Sequence, residues 1–163
     1  MISTEPGATR WAPTDDSHRR SEVTGSVGRG HDDWERAAAG VLRWAVKTRS
    51  GFSVDDDSPV VAGRRTLVTA RVAGITVVEP VEVVEVVERS DRVGFSYRTL
   101  PGHPVSGEEA FIVHRDGDEV LLTIRSLTRP APQQPWRALH PVLRVAQRVA
   151  RRRYLRALVS SRR

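Results

Sequence analysis

The stretch Phe95-Ser96-Tyr97-Arg98-Thr99-Leu100-Pro101-Gly102-His103-Pro104-Val105-Ser106-Gly107-Glu108-Glu109-Ala110-Phe111 decides how this chain is read. Val93, Phe95 and Tyr97 alternate with Gly94, Ser96 and Arg98, the two-residue period of a half-buried strand. Pro101-Gly102 fits the central positions of a type II turn, because Pro presets φ and Gly accepts a positive φ. Beyond the turn, Glu109, Phe111 and Val113 share one strand face, while Glu108, Ala110, Ile112 and His114 share the other. Two strands therefore meet at one end of a sheet. Their junction gathers a tyrosine, a histidine and two adjacent carboxylates.

Downstream, Asp116-Gly117 signals a tight hairpin, and Val120, Leu122 and Ile124 continue the meander. Upstream, Thr66 to Val72 alternates and Ala73-Gly74 turns the chain. Ile75–Val78 and Val81–Val87 are rich in β-branched residues. There Val-Glu-Val-Val-Glu-Val-Val-Glu repeats every three residues, which predicts a bulge, since a flat strand would send a Glu inward.

Val23–Val27 reads as a short strand. Asp32 or Asp33 then offers an N-cap to an amphipathic helix carrying Trp34, Ala37, Ala38, Val41, Leu42 and Ala45, which ends before Gly51. Lys47 and Arg49 sit where they complement the C-terminal end of the helix dipole. Gly28 and Gly30 precede this helix, but GxGxxG fails at Asp33, so no dinucleotide site is expected. Pro130, Pro132 and Pro135 end the meander and lead into a last helix, with Pro141 expected in its first turn. Residues 1–20 carry Pro6, Gly7, Pro13 and mixed charge without a period, and read as a disordered tail before a single domain over 21–160. The predicted class is α+β, a curved antiparallel sheet wrapped around a long C-terminal helix.

Composition narrows the function. With 163 residues the chain is large enough for one self-sufficient core. It has no Cys, which excludes disulfides and thiolate metal sites. No apolar run is long enough to span a bilayer and no secretory signal opens the chain, so the expectation is a cytoplasmic protein. The net charge of +6 invites a nucleic-acid reading. The basic residues are nearly all Arg, scattered among acidic ones, with Lys47 the sole Lys, and no recognition motif accompanies them; this argues against a nucleic-acid surface. His31, His103, His114 and His140 show no metal-ligand spacing, so no metal is expected.

On a helical wheel, Leu139, Val142, Ala146, Val149, Ala150, Tyr154 and Ala157 form one apolar arc of the last helix. Arg153 falls inside that arc. It must either find a carboxylate, with Glu108 and Glu109 as candidates, or reach the rim along its aliphatic stem. The same helix could lie on an anionic membrane, but its Ala-rich side and the sheet's need for a cover favour intramolecular packing, and no membrane partner is expected.

Taken in order, Val27-Gly28-Arg29-Gly30, Phe95-Ser96-Tyr97 with Thr99-Leu100-Pro101-Gly102-His103-Pro104, Gly107-Glu108-Glu109-Ala110-Phe111, Ser126-Leu127-Thr128-Arg129-Pro130-Ala131 and Gln147 through Tyr154 resemble the DUF1990 family, also called UPF0548. The resemblance runs from about Ser21 to Leu158. This chain has Arg98 where the family pattern has Gly. The resemblance implies, by analogy, a helix-grip or START-like fold in which the last helix closes a sheet over an apolar cavity. It implies no established activity and no cofactor.

The candidate ligand-binding residues are Phe95, Tyr97, Thr99, His103, Glu108, Glu109, Phe111, Arg129 and Arg153, with Val113, Leu122 and Ala146 as further apolar walls. Three readings stay open. The first is a protein binding a small, partly apolar ligand between sheet and helix. The second is an enzyme using His103 with Glu108 or Glu109 for acid–base chemistry. The third is an interaction module with a filled core. The structural alternatives for the polar residues are that one Glu accepts turn amides, that the other pairs with Arg129 or Arg153, and that His103 bonds a turn carbonyl. No residue acquires a catalytic role from the sequence, and the oligomeric state stays open.

Overall fold

The computed structural model describes residues 2–12, 17–72 and 74–161. The elements run β1 (Arg19–Arg29), α1 (Gly30–Val41), α2 (Ala45–Thr48), β2 (Phe52–Val54), β3 (Arg65–Val72), β4 (Ile75–Glu88), β5 (Arg92–Thr99), β6 (Val105–Asp116), β7 (Glu119–Pro130) and α3 (Trp136–Ala157). Among the described residues the strands form one antiparallel sheet in the order β1-β7-β6-β5-β4-β3-β2. The α+β architecture is as expected. Its sheet curves around the helices and buries Trp34, Trp44, Val81, Val83, Phe95, Phe111, Leu122 and Tyr154 on the concave side.

The bulge expected in the Val-Glu repeat lies between Val83 and Glu85. It resets the register, so Val81, Val83 and Val86 all face the core. Glu82 stays on the outside, bridging Arg65 (3.1 Å) and Arg98 (2.7 Å). Arg98 thus occupies a regular strand position opposite Glu82. The Leu100–His103 turn forms as read, with His103 N–H donating to the Leu100 carbonyl and Gly102 at φ 99°.

The first helix is interrupted, contrary to the continuous helix expected up to Gly51. The Leu42 carbonyl accepts the Val60 amide, and Trp44 takes a left-handed conformation, φ 63°. Its indole packs edge-on against Phe95, with centroids 4.8 Å apart. Burial of this large ring outweighs the local backbone cost, and the kink turns α2 into the concavity. Asp33 does not cap the helix from outside. It lies in the first turn and accepts the Arg29 amide at 2.8 Å. Pro141 lies well inside α3, not in its first turn.

Residues 2–12 are also not a loose tail. Thr4 and Trp11 are buried against the outer face of the sheet. Arg125 donates to the carbonyls of Glu5 (2.6 Å) and Ala8 (3.0 Å), and Arg92 to those of Pro6 (2.6 Å) and Ala8 (2.8 Å). The segment is held chiefly through backbone carbonyls, which leave no hydrophobic period in the sequence. Pro13 to Asp16 lie outside the described residues.

The C-terminal end of α3 is anchored. Tyr154 and Leu158 are buried, Arg36 donates to the Leu158 carbonyl at 2.7 Å, and Ser160 N–H bonds the Val27 carbonyl at 2.9 Å. The N-terminal half is only partly covered.

Candidate functional site

The kink at Trp44 delivers Lys47 from α2 to the floor of a cavity between the sheet and α3. The cavity measures about 440 Å3. Lys47 is 4% exposed and its ammonium donates to the Tyr154 hydroxyl of α3 at 2.7 Å. Glu109 of β6 and Glu79 of β4 stand 3.7 Å and 3.9 Å from it, and the Phe52 ring lies 4.5 Å away. Tyr97, opposite Glu109 in the β5–β6 register, donates its hydroxyl proton to that carboxylate.

His103 completes the group. Its Nδ1 accepts the Val105 amide at 3.0 Å, so the neutral ring carries its proton on Nε2, 3.8 Å from Glu79. The floor is thus assembled from α2, β4, β5, the β5–β6 turn, β6 and α3. Gly107 permits the bend that starts β6: its φ is 151°, and a Cβ there would meet the Leu127 carbonyl oxygen at 1.8 Å. Its amide donates to Thr99 Oγ1 at 3.0 Å.

Burial works against the charge of Lys47. The oxygens of Tyr154, Tyr97, Glu109 and Glu79 outweigh it and hold its pKa well above the ordinary amine value. It is therefore an ammonium at physiological pH rather than a nucleophilic amine. Burial raises Glu79, with Lys47 pulling it back and Glu109 pushing it further up. Burial chiefly, and Glu109 next, keep Tyr97 protonated, and burial also raises Tyr154. Burial and then Lys47 push His103 down to about 3, so its approach to Glu79 is that of a neutral N–H group.

The structure brings together part of the set expected from sequence. Tyr97, Thr99, His103 and Glu109 line the cavity. Glu108 also borders the cavity, but its carboxylate is committed to the outer face, where it accepts both the amide (2.8 Å) and the hydroxyl (2.5 Å) of Thr4. Phe95 and Phe111 are fully buried beneath Trp44 and Tyr154 and belong to the core, as do Val113 and Leu122; Ala146 lines the cavity. Arg129 is exposed, outside the cavity. Arg153 reaches the rim, with its guanidinium beside Gly51, and is not the buried partner of either Glu. The buried cation is Lys47.

Lys47, Glu79 and Tyr154 are site residues that reasoning from sequence misses. Two signals point to them: Lys47 is the single Lys among 26 basic residues, and Glu79 shares strand parity with Val77, Val81 and Val83. Tyr154 reads as ordinary core. Among the described residues no group of side chains is arranged to hold a metal ion, and no helix is long and apolar enough to cross a membrane.

A curved antiparallel sheet closed by a C-terminal helix over a concave space defines the helix-grip class. Solved structures with this fold include hypothetical protein jhp0584 from Helicobacter pylori (TM-score 0.63, 16% identity, covering 100% of this chain and 99% of that one). TTHA0849 from Thermus thermophilus (0.57, 13%, 85% and 92%) and Ara h 8.0201 (0.53, 11%, 83% and 95%) share it as well. The chain belongs to the family described as domain of unknown function DUF1990, whose model matches residues 3–157. A UPF0548 protein of Deinococcus radiodurans is 33% identical over 150 residues, covering 82% of this chain and 73% of the relative. UPF0548 protein At2g17695 of Arabidopsis thaliana is 33% identical over 112 residues, 64% of this chain and 55% of its own length.

Proposed function

We propose that the protein binds a small amphipathic molecule in the cavity between the sheet and α3. The observation that carries this reading is the floor around Lys47. An ammonium has three N–H donors; Tyr154 takes one, while both carboxylates stand beyond good hydrogen-bond distance. The other donors suit a carbonyl or hydroxyl oxygen of a ligand. Phe52, Val77, Leu143 and Ala150 supply apolar wall, and Arg71, Arg151 and Arg153 border the same space, suited to an anionic group at the outer end.

A second reading has a specific observation behind it. Glu79, with its raised pKa, faces the Nε2 proton of His103 inside the cavity. Glu79 is the group of this pair that suits proton transfer on the same ligand, with neutral His103 a fixed N–H donor beside it, since the His103 Nδ1 is taken by the Val105 amide. The version using Glu108 has no geometric support, because its carboxylate faces away.

The test is displacement of the fluorescent anionic probe 1-anilinonaphthalene-8-sulfonate from the purified protein, with native mass spectrometry to detect any retained molecule. Val77→Trp, which fills the apolar wall, should abolish probe binding while circular dichroism stays unchanged. Equal probe binding by the folded variant would defeat the proposal.

A further inference from the structure

The basic character of this chain is concentrated in one element. The helix α3 carries seven Arg and no Asp or Glu, leaving 19 basic against 20 acidic residues elsewhere. Its packed side is used by Tyr154, and Leu158, just past its end, is buried as well. Its other side presents Val142 and Val145, which are 66% and 57% exposed, and Val149, 46% exposed, continues this ridge at the i, i+3 and i+7 spacing where the helix edge also borders the cavity. Exposed Arg148, Arg152 and Arg156 run along one edge of this ridge.

We infer that the outward face of α3 docks on an anionic lipid surface, lying in its plane. Three kinds of partner compete for such a face. A second copy of the chain would bring the arginines of one helix against those of another, and like charge without intervening acids opposes that contact. A nucleic acid would satisfy the arginines but leave three valines against a charged backbone. An anionic membrane satisfies both: the valines enter the acyl boundary while the guanidinium groups bond headgroup phosphates. The helix does not span; it rests on the surface. The inference is independent of the ligand reading, although the same helix bounds the cavity.

Cosedimentation of the full chain with vesicles tests this. Vesicles of phosphatidylcholine mixed with phosphatidylglycerol should carry the protein down, and vesicles of phosphatidylcholine alone should not. Each arginine at the surface contributes about a five-fold gain in affinity, so R148Q/R152Q should weaken binding at least about ten-fold. V142D/V145D should weaken it comparably. All four side chains are exposed, so unchanged thermal unfolding of both variants separates docking from folding. Three results would overturn the inference: no cosedimentation with the anionic vesicles at low salt, undiminished binding by folded V142D/V145D, or displacement from vesicles by double-stranded DNA that binds wild type and V142D/V145D equally.

Discussion

Lys47 and Tyr154, separated by 107 positions, share a 2.7 Å hydrogen bond that joins the kinked first helical region to the closing helix. This bond, with the two carboxylates beyond it, ties α2, α3, β4 and β6 into one unit. An isolated ammonium so deeply buried would be prohibitively costly; here a phenol oxygen, two carboxylates and aromatic faces offset the desolvation.

Replacing Lys47 by Met should destabilise the fold by up to about 3–5 kcal/mol at neutral pH, because Glu79 and Glu109, both largely withdrawn from solvent, would be left without their cation. The loss should shrink toward pH 5, where Glu79, already raised, takes up a proton more readily. Urea denaturation at both pH values measures it. An equal loss at the two would mean that stranded charge is not the cause.

His103 provides a pH signature whose sign is fixed. Its folded pKa is about 3 against an ordinary 6.5, so between those values the unfolded chain binds the extra proton. Its contribution therefore falls as pH drops from 6.5 toward 3, with a limiting slope of about 1.4 kcal/mol per pH unit. His103→Gln, which can still accept the Val105 amide, should flatten that arm of the stability curve. Parallel curves for wild type and variant would show that His103 protonates freely in the folded protein.

Glu108 and Glu109 are neighbours with separate tasks. Glu108→Ala removes two acceptor bonds from Thr4 and should cost about 1–3 kcal/mol. It should also speed hydrogen exchange near residue 4 while leaving probe binding intact. Glu109→Gln should alter probe binding and leave exchange in that segment unchanged. Identical behaviour of the two variants would contradict their placement on opposite faces.

Arg153→Ala should change stability by no more than about 0.5 kcal/mol, as expected for an exposed side chain away from any buried network. A loss of several kcal/mol in denaturant melts would place the guanidinium in the core after all. Affinity for the anionic probe should fall, since Arg153 borders the cavity.

Much of the frame was legible in the chain because it is set by neighbours in sequence. Alternation marked β3, β5 and β6; Pro101-Gly102 marked the turn; and the three-residue Val-Glu rhythm marked the bulge between Val83 and Glu85. The opposite facing of Glu108 and Glu109 followed from strand parity alone. The N-terminal segment escaped because Arg92 and Arg125 hold it by carbonyls, which every residue possesses.

Local periodicity and turn chemistry thus determined the antiparallel sheet, the long closing helix and the placement of Tyr97, His103 and Glu109 at one sheet end. Tertiary structure alone decided which cation meets them. On a wheel Arg153 looked closest, but the Leu42–Val60 bond and the burial of Trp44 kink the first helical region and carry Lys47 there instead. Neither the indole's pocket nor the competition between Arg153 and Lys47 for a buried carboxylate exists until distant elements pack together.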